Sequence, residues 1–214
     1  MIADVLPAGV VAAESFGPPV DRELLPAEAA AVATADPVRR SEFAAGRAVA
    51  HAALARLHAA AGPVLPGPAG EPRWPAGVVG SITHCAGYRA CAVAWARDVA
   101  AIGIDAEPCL ALADGLLTAV AGDAERAWLT ELTAACPGTR WDRVLFCAKE
   151  SVYKAWYPHT GERPGPRDIT VRIGQGGTFA ATLPRGSAVR PGARLIGRWL
   201  VKRGLIVTAV SIPP

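Results

Sequence analysis

Lysine is scarce in this chain. Only Lys149, Lys154 and Lys202 stand among the 22 cationic residues, and the rest are arginines. Against 19 acidic residues the net charge is +3. That is too little for the basic stripe nucleic acid requires, though it leaves room for a local patch that meets phosphates or an acidic partner. No apolar run approaches the ~18–20 residues of a membrane helix. Residues 1–16 have no basic stretch ahead of their apolar residues and carry Asp4 and Glu14, which argues against a secretory signal. The five cysteines, at 85, 91, 109, 136 and 147, show neither CxxC nor a Cys/His zinc spacing. They read as small core residues of a reduced, cytoplasmic protein. No sequence repeats at a fixed period. What is abundant is alanine, glycine, proline and arginine, as the codons of a G- and C-rich genome favour. A chain of 214 residues buries about 70% of its unfolded surface. It can therefore form a core without staples, as one domain or two small halves.

The pattern predicts an extended lead-in over 1–25 containing Pro18-Pro19, then a short helix over 28–35. Asp36-Pro37 is a strong helix start, with Asp as N-cap and Pro in the first turn. That helix is expected to run over 38–61 and to end at Gly62. On it Arg40 and Arg47 share a face, as do Arg47 and His51. Residues 62–75 are a Pro/Gly loop. Short buried strands follow over 78–83, 89–95 and 100–105, then a connection over 108–115. Helices are expected over 123–135 and 142–157, the second stopped by Pro158. Strands are expected over 169–173, 178–183, 194–201 and 205–212. Helices then strands, twice, predict an α+β fold of two similar halves, 1–110 and 111–214.

Four features carry chemistry, and each has an ordinary reading beside it. In Gly103-Ile104-Asp105-Ala106-Glu107, strand alternation turns both acids the same way. About 6.6 Å apart along the strand, they can converge on one hard cation. A bare Asp-x-Glu is more often a solvated strand end. Glu150 and Lys154 share a helix face, as an ordinary surface ion pair would. Their helix, however, also carries Phe146, Val152, Tyr153 and Trp156, and charges on a mostly buried helix are less ordinary. Gly80-Ser81-Ile82-Thr83-His84 ends a strand in a hydroxyl and an imidazole, which either suit a phosphate or are locally satisfied. Arg47, in an arginine-rich chain, would alone be a surface residue.

Taken together, these blocks resemble the 4′-phosphopantetheinyl transferase superfamily. The similarity is carried by Thr83-His84, by Gly103-Ile104-Asp105-Ala106-Glu107-Pro108, and by Lys149-Glu150-Ser151-Val152-Tyr153-Lys154. Trp74-Pro75, Gly87-Tyr88-Arg89 and Leu145-Phe146-Cys147-Ala148 resemble more specifically the surfactin-type, siderophore-synthetase branch and its mycobacterial-type members. The resemblance runs from about Arg39 to the C-terminal strands.

The resemblance implies an enzyme that moves the phosphopantetheine arm of coenzyme A onto a serine of an apo acyl or peptidyl carrier protein, releasing adenosine 3′,5′-bisphosphate. Its carriers belong to fatty acid, polyketide or nonribosomal peptide synthases. Asp105, Glu107 and Glu150 would hold Mg²⁺ or Mn²⁺, hard cations that keep phosphate and water ligands. Glu150 would also be the general base and Lys154 the cation on the transferring phosphate, with Lys149 orienting the cluster at the co-substrate. His84 and Thr83 would meet the pyrophosphate. Arg47 would grip the 3′-phosphate, helped by Arg40. Tyr153 and Trp156 would lie at the thiol arm or in the core. Relatives carry a lysine where this chain has Ala69, so Arg73 would compensate or coenzyme A would bind more weakly. The branch further implies a monomer of two similar halves with coenzyme A in the cleft between them, steered to an acidic carrier helix. Neither nucleic acid nor membrane is expected as a partner. Two other classes stand beside it: a metal-dependent phosphodiesterase, which could use the same acids to attack coenzyme A with water, and a non-catalytic carrier-protein or coenzyme A binder, which would have lost an acid or Lys154, whereas all are present.

Overall fold

The computed structural model describes residues 1–18, 23–183 and 194–214. The expected lead-in is more ordered than its sequence suggests. After a 3-10 turn at Ile2–Val5, strand β1 (Val11–Phe16) pairs antiparallel with β5 (Tyr88–Trp95), Val11 opposite Val93 and Phe16 opposite Tyr88. β1 shows no clean apolar alternation, so only its partner reveals it. Pro19 of the expected Pro18-Pro19 break lies outside the described residues.

Helix α1 is Pro26–Ala31 and α2 is Pro37–Arg56. Asp36 caps α2 as expected, its Oδ1 accepting from the Arg39 amide at 2.9 Å. The helix stops at Arg56, earlier than the expected 61. His58 takes the left-handed conformation (φ 54°), and the Ala59 amide reaches back to Leu54 O at 3.0 Å. This is a Schellman closure with histidine where Gly62 was expected. The Pro/Gly loop contains a minimal ladder, β2 (Leu65–Pro66) with β3 (Pro72–Arg73). Then come β4 (Val78–Cys85), β5, β6 (Ala101–Pro108), α3 (Leu116–Val120), α4 (Asp123–Ala135) and α5 (Trp141–Thr160). Pro158 does not stop α5. It sits in the last turn, where one missing amide costs little, and Gly161 (φ 74°) closes the helix. Strands β7 (Thr170–Gly174), β8 (Thr178–Thr182), β9 (Arg194–Lys202) and β10 (Leu205–Ile212) complete a mixed α+β fold.

The strands form a three-stranded sheet, β1-β5-β4, and a five-stranded sheet, β6-β10-β9-β8-β7. β6 therefore precedes the expected seam at 108–115 yet hydrogen-bonds to β10 in the second sheet. Side chains on β4 link the two sheets. The Ile104 amide donates to Ser81 Oγ at 3.1 Å, and the Ala106 amide donates to Thr83 Oγ1 at 3.0 Å. The pairs 81–104 and 83–106 advance in the same direction, so β4 and β6 run parallel. These hydroxyl contacts stand where a backbone ladder would, since β4 and β6 belong to different sheets.

The alanine-rich face of α2 packs Val49, Ala50, Ala53 and Leu54 against Cys91 and Val93 of β5. α5 buries Val144, Leu145, Ala148 and Val152 over the larger sheet. It crosses β6 so closely that a methyl at Gly103 would overlap the Ser151 carbonyl.

Two buried glutamates, Glu28 and Glu125, make matching contacts. Each stands at the third position of the helix that precedes a long one and accepts from the amide before its own helix: Leu25 to Glu28 at 3.2 Å, Gly122 to Glu125 at 2.9 Å. Each also accepts at 2.8 Å from an amide beyond the following long helix, Val64 or Val171. Each pairs with a basic side chain on that helix, His51 on α2 at 2.9 Å or Lys149 on α5 at 2.8 Å.

Candidate active site

α2, β4, α5 and the 66–72 loop enclose a cavity of about 330 Å³. α2 contributes Arg39, Glu42, Phe43, Gly46 and Arg47. β4 supplies Ser81, Thr83 and His84, and α5 supplies Glu150, Tyr153 and Lys154.

Asp105 lies behind this wall, 4% exposed on β6. Lys154 Nζ donates to its Oδ1 at 2.6 Å and Thr83 Oγ1 donates to the same oxygen at 3.1 Å. Its other oxygen, Oδ2, is buried with no hydrogen-bond partner among the described residues. An unmatched buried carboxylate oxygen is costly. Glu107 lies two residues on, with its Oε2 accepting from Arg143 at 2.9 Å. Burial first, and then the Asp105 charge, raise the Glu107 pKa, while Arg143 and Lys154 oppose the rise. Burial and Asp105 likewise raise Glu150, against Lys154. Burial opposes the charge on Lys154, but Asp105, by charge and hydrogen bond, and Glu150 raise its pKa on balance. Asp105 thus works against the charge of both Glu107 and Glu150, and Lys154 offsets it at each. Among the described residues, however, no three His, Cys, Asp or Glu side chains converge closely enough to hold a metal by themselves. Asp105 Oδ2 and the like-charge crowding fit a cation, and Mg²⁺ commonly takes one or two carboxylates with phosphate and water oxygens for the rest.

Two further basic residues, Arg47 and His84, line the cavity. Arg47 is 7% exposed: its Nε donates to Val64 O at 2.5 Å and its guanidinium lies 4.0 Å from the Phe43 ring centroid. Burial lowers its pKa to about 10, still charged at neutral pH. The His84 pKa is lowered, first by desolvation and then by Lys154, Arg39 and Arg89, while Glu42 raises it. Both line the cavity with Lys154.

Three expected contacts are not there. Lys149 points to the far side of α5, where its Nζ donates to Val120 O at 2.7 Å, Glu125 Oε2 at 2.8 Å and Pro166 O at 2.9 Å. A residue beside Glu150 in sequence is about 100° away around a helix. Arg40 is exposed and outside the cavity, whereas Arg39, one helix position earlier and in line with Phe43 and Gly46, lines it. Arg73 is exposed on β3 and lines a neighbouring cavity, so the 66–72 loop brings Ala69, Gly70 and Glu71 but no cation. Thr83 is present, but its hydroxyl is committed to Ala106 and Asp105. Tyr153 and Trp156 now separate. Tyr153 faces the cavity, stacked on Tyr157 with centroids 5.8 Å apart, whereas Trp156 is core and donates to Glu162.

Sequence reading missed Arg39, Glu42, Tyr157 and Arg143. The first two could have been found by counting from the Asp36 cap and choosing the face that holds Phe43. Tyr157 follows Tyr153 by one helical turn.

Two family models match. Residues 27–94 match the 4′-phosphopantetheinyl transferase N-terminal domain, and residues 101–197 match the 4′-phosphopantetheinyl transferase superfamily. The chain is 48% identical over 219 residues to the 4′-phosphopantetheinyl transferase Svp of Streptomyces mobaraensis, covering 99% of this chain and 89% of the relative. It is 42% identical over 224 residues to PptT of Mycobacterium tuberculosis, covering 99% and 98%. Npt of Nocardia iowensis is also 42% identical, over 223 residues, covering 99% of each.

Proposed function

The chain belongs to the 4′-phosphopantetheinyl transferase superfamily, on its mycobacterial-type side, and from that premise we propose how its cleft works. It transfers the 4′-phosphopantetheine arm of coenzyme A to a serine of a carrier protein. The serine oxygen attacks the phosphorus that bears the arm and the pyrophosphate P–O bond breaks. Adenosine 3′,5′-bisphosphate leaves with the bond electrons, and the serine proton passes to a base.

Glu150 is that base. It faces the cavity, and burial with the Asp105 charge raises its proton affinity, which is the tuning a general base needs. Lys154 meets the transferring phosphate as a compact charge held by Asp105 at 2.6 Å. His84 lies on the pyrophosphate, and Arg47 with Arg39 takes the 3′-phosphate. Tyr153 borders the arm. Asp105, Glu107 and Glu150 would hold a divalent cation, Mg²⁺ being the choice of an all-oxygen set. When bound there, such a cation would neutralise charge on the pyrophosphate and the leaving group. Lys149 serves α5 rather than the co-substrate.

The observation that carries this reading is Asp105 Oδ2, buried and unmatched beside Lys154. The matched contacts of Glu28 and Glu125 support the finer reading of the fold: two related halves in one chain, with coenzyme A between them and the monomer as the working unit. The carriers are those of fatty acid, polyketide or nonribosomal peptide synthesis, siderophore assembly included. Five unpaired cysteines suit a reducing cytoplasm. Among the described residues no helix is long and apolar enough to cross a membrane.

The test is incubation with coenzyme A, Mg²⁺ and apo carrier proteins, followed by intact mass. Gain of a phosphopantetheine arm is expected. No gain on any carrier of the three classes overturns the reading, and cleavage of coenzyme A without a carrier would favour a phosphodiesterase. Gain that survives Glu150→Ala removes Glu150 as base.

A further inference from the structure

Asp105 and Glu107 are held in the same manner. Each has one carboxylate oxygen tied to a cation, Asp105 Oδ1 to Lys154 at 2.6 Å and Glu107 Oε2 to Arg143 at 2.9 Å. Each has a second oxygen that accepts no hydrogen bond among the described residues. For Asp105 a short side chain and burial fix that second oxygen. Glu107 is longer and its side chain is 22% exposed. Its only anchor among the described residues is Arg143.

Arg143 is itself immobilised, on the first turn of α5 with a side chain only 15% exposed. Its Nε donates to Leu110 O at 3.0 Å, its second terminal nitrogen donates to Ala111 O at 2.7 Å, and the first reaches Glu107. Next to it, Asp142 Oδ2 accepts from the Leu112 amide at 2.9 Å. The rigid guanidinium fork therefore has three directions filled, two of them by backbone. A lysine could not hold this geometry. With both Leu110 and Ala111 clamped, Arg143 has little freedom to follow Glu107, so it is Glu107 that is positioned.

We propose that Arg143 is a positioning residue for the divalent-cation site: it holds Glu107 by Oε2 so that Oε1 is presented beside Asp105 Oδ2. This rests on the proposed role of these acids. Among the described residues the side-chain partner of Glu107 is Arg143, so where the Glu107 carboxylate sits depends on an anchor outside the acids themselves. Hydrogen-bond partners of metal ligands commonly govern affinity by about 10- to 100-fold.

The test uses the full chain and Mn²⁺ as probe, with free Mn²⁺ read by electron paramagnetic resonance in the absence of carrier. Arg143→Ala is expected to raise the Mn²⁺ Kd by about tenfold or more, with Arg143→Lys recovering only part of the loss. Glu107→Gln should weaken binding comparably. Adding Arg143→Ala to it should cost little more, because both act through one side chain. Asp105→Asn should abolish binding. If Asp105→Asn abolishes binding while Arg143→Ala leaves the Kd unchanged, Arg143 merely braces the 110–112 segment and the proposal fails alone. If the wild type binds no Mn²⁺, or Asp105→Asn binds normally, the metal reading fails and takes the proposal with it. Should Arg143→Ala not fold, Arg143→Lys decides: an unchanged Kd overturns the proposal and a weakened one supports it.

Discussion

Lys149 and Glu125 form an ion pair of 2.8 Å between side chains 2% and 6% exposed, on a different face of α5 from Glu150 and Lys154. The ammonium also satisfies the Val120 and Pro166 carbonyls, while the carboxylate satisfies the Gly122 and Val171 amides. Burial pulls the lysine pKa down, and Glu125 opposes it. The pair joins α3, α4, α5 and β7 at one point.

Removing one partner should therefore act on folding. Lys149→Ala leaves Glu125 buried and uncompensated, which typically costs about 3–5 kcal/mol. Denaturant unfolding should show that loss, while the coenzyme A KM of the protein that remains folded stays near wild type. A large rise in KM with unchanged stability would return Lys149 to the co-substrate.

Thr83→Val tests the same distinction on β4. The hydroxyl bridges the Ala106 amide and Asp105, so its loss should cost about 1–3 kcal/mol of stability for the stranded amide. It should also lower kcat more than it raises the coenzyme A KM. Thr83→Ser should restore both. An effect confined to KM would assign the hydroxyl to the pyrophosphate instead.

Glu150 links pH to stability. Its folded pKa lies above the ordinary 4.5, so the folded state binds the proton more tightly than the unfolded chain. Its stability contribution is full below the unfolded pKa and is lost as pH rises through the folded one. Glu150→Gln should accordingly raise the Tm of metal-free protein at pH 7–8, and that gain should vanish near pH 4. The same variant should lose about 10²–10⁴-fold in kcat. A Tm gain independent of pH would disconnect the charge from the effect.

Arg47 should not be replaceable by lysine. Its Nε bond to Val64 and its stacking on Phe43 need a planar guanidinium. Arg47→Lys and Arg47→Ala should both raise the coenzyme A KM, the latter by about 10- to 100-fold, as loss of a charge-assisted bond of roughly 1.5–3 kcal/mol implies. Dephospho-coenzyme A, which lacks the 3′-phosphate, should respond to neither. Equal loss on both substrates would place Arg47 elsewhere.

The sequence alone determined whatever rests on local rules. Asp36-Pro37 begins α2 because a short acceptor and a fixed φ suit a first turn. Residues 123–135 form α4 as expected, and the Gly-Ile-Asp-Ala-Glu strand, the Lys-Glu-x-x-x-Lys helix and Thr-His at a strand end are where their patterns put them. The family blocks were legible for the same reason: each is a contiguous stretch. What the tertiary structure decided is which way neighbours face and what is already committed. Lys149 and Glu150 are adjacent in the chain, yet about a hundred degrees of helical rotation sends one to Glu125 and the other to the cavity. Arg39 rather than Arg40 faces the site because the face is chosen by Phe43 packing. β1 is a strand only because β5 offers it an edge, and β6 crosses to the second sheet because β10 pairs with it. Scarcity drew attention to the lysines of α5 but could not assign them. Partners for a buried charge come from segments tens of residues away, and only the packed chain brings them together.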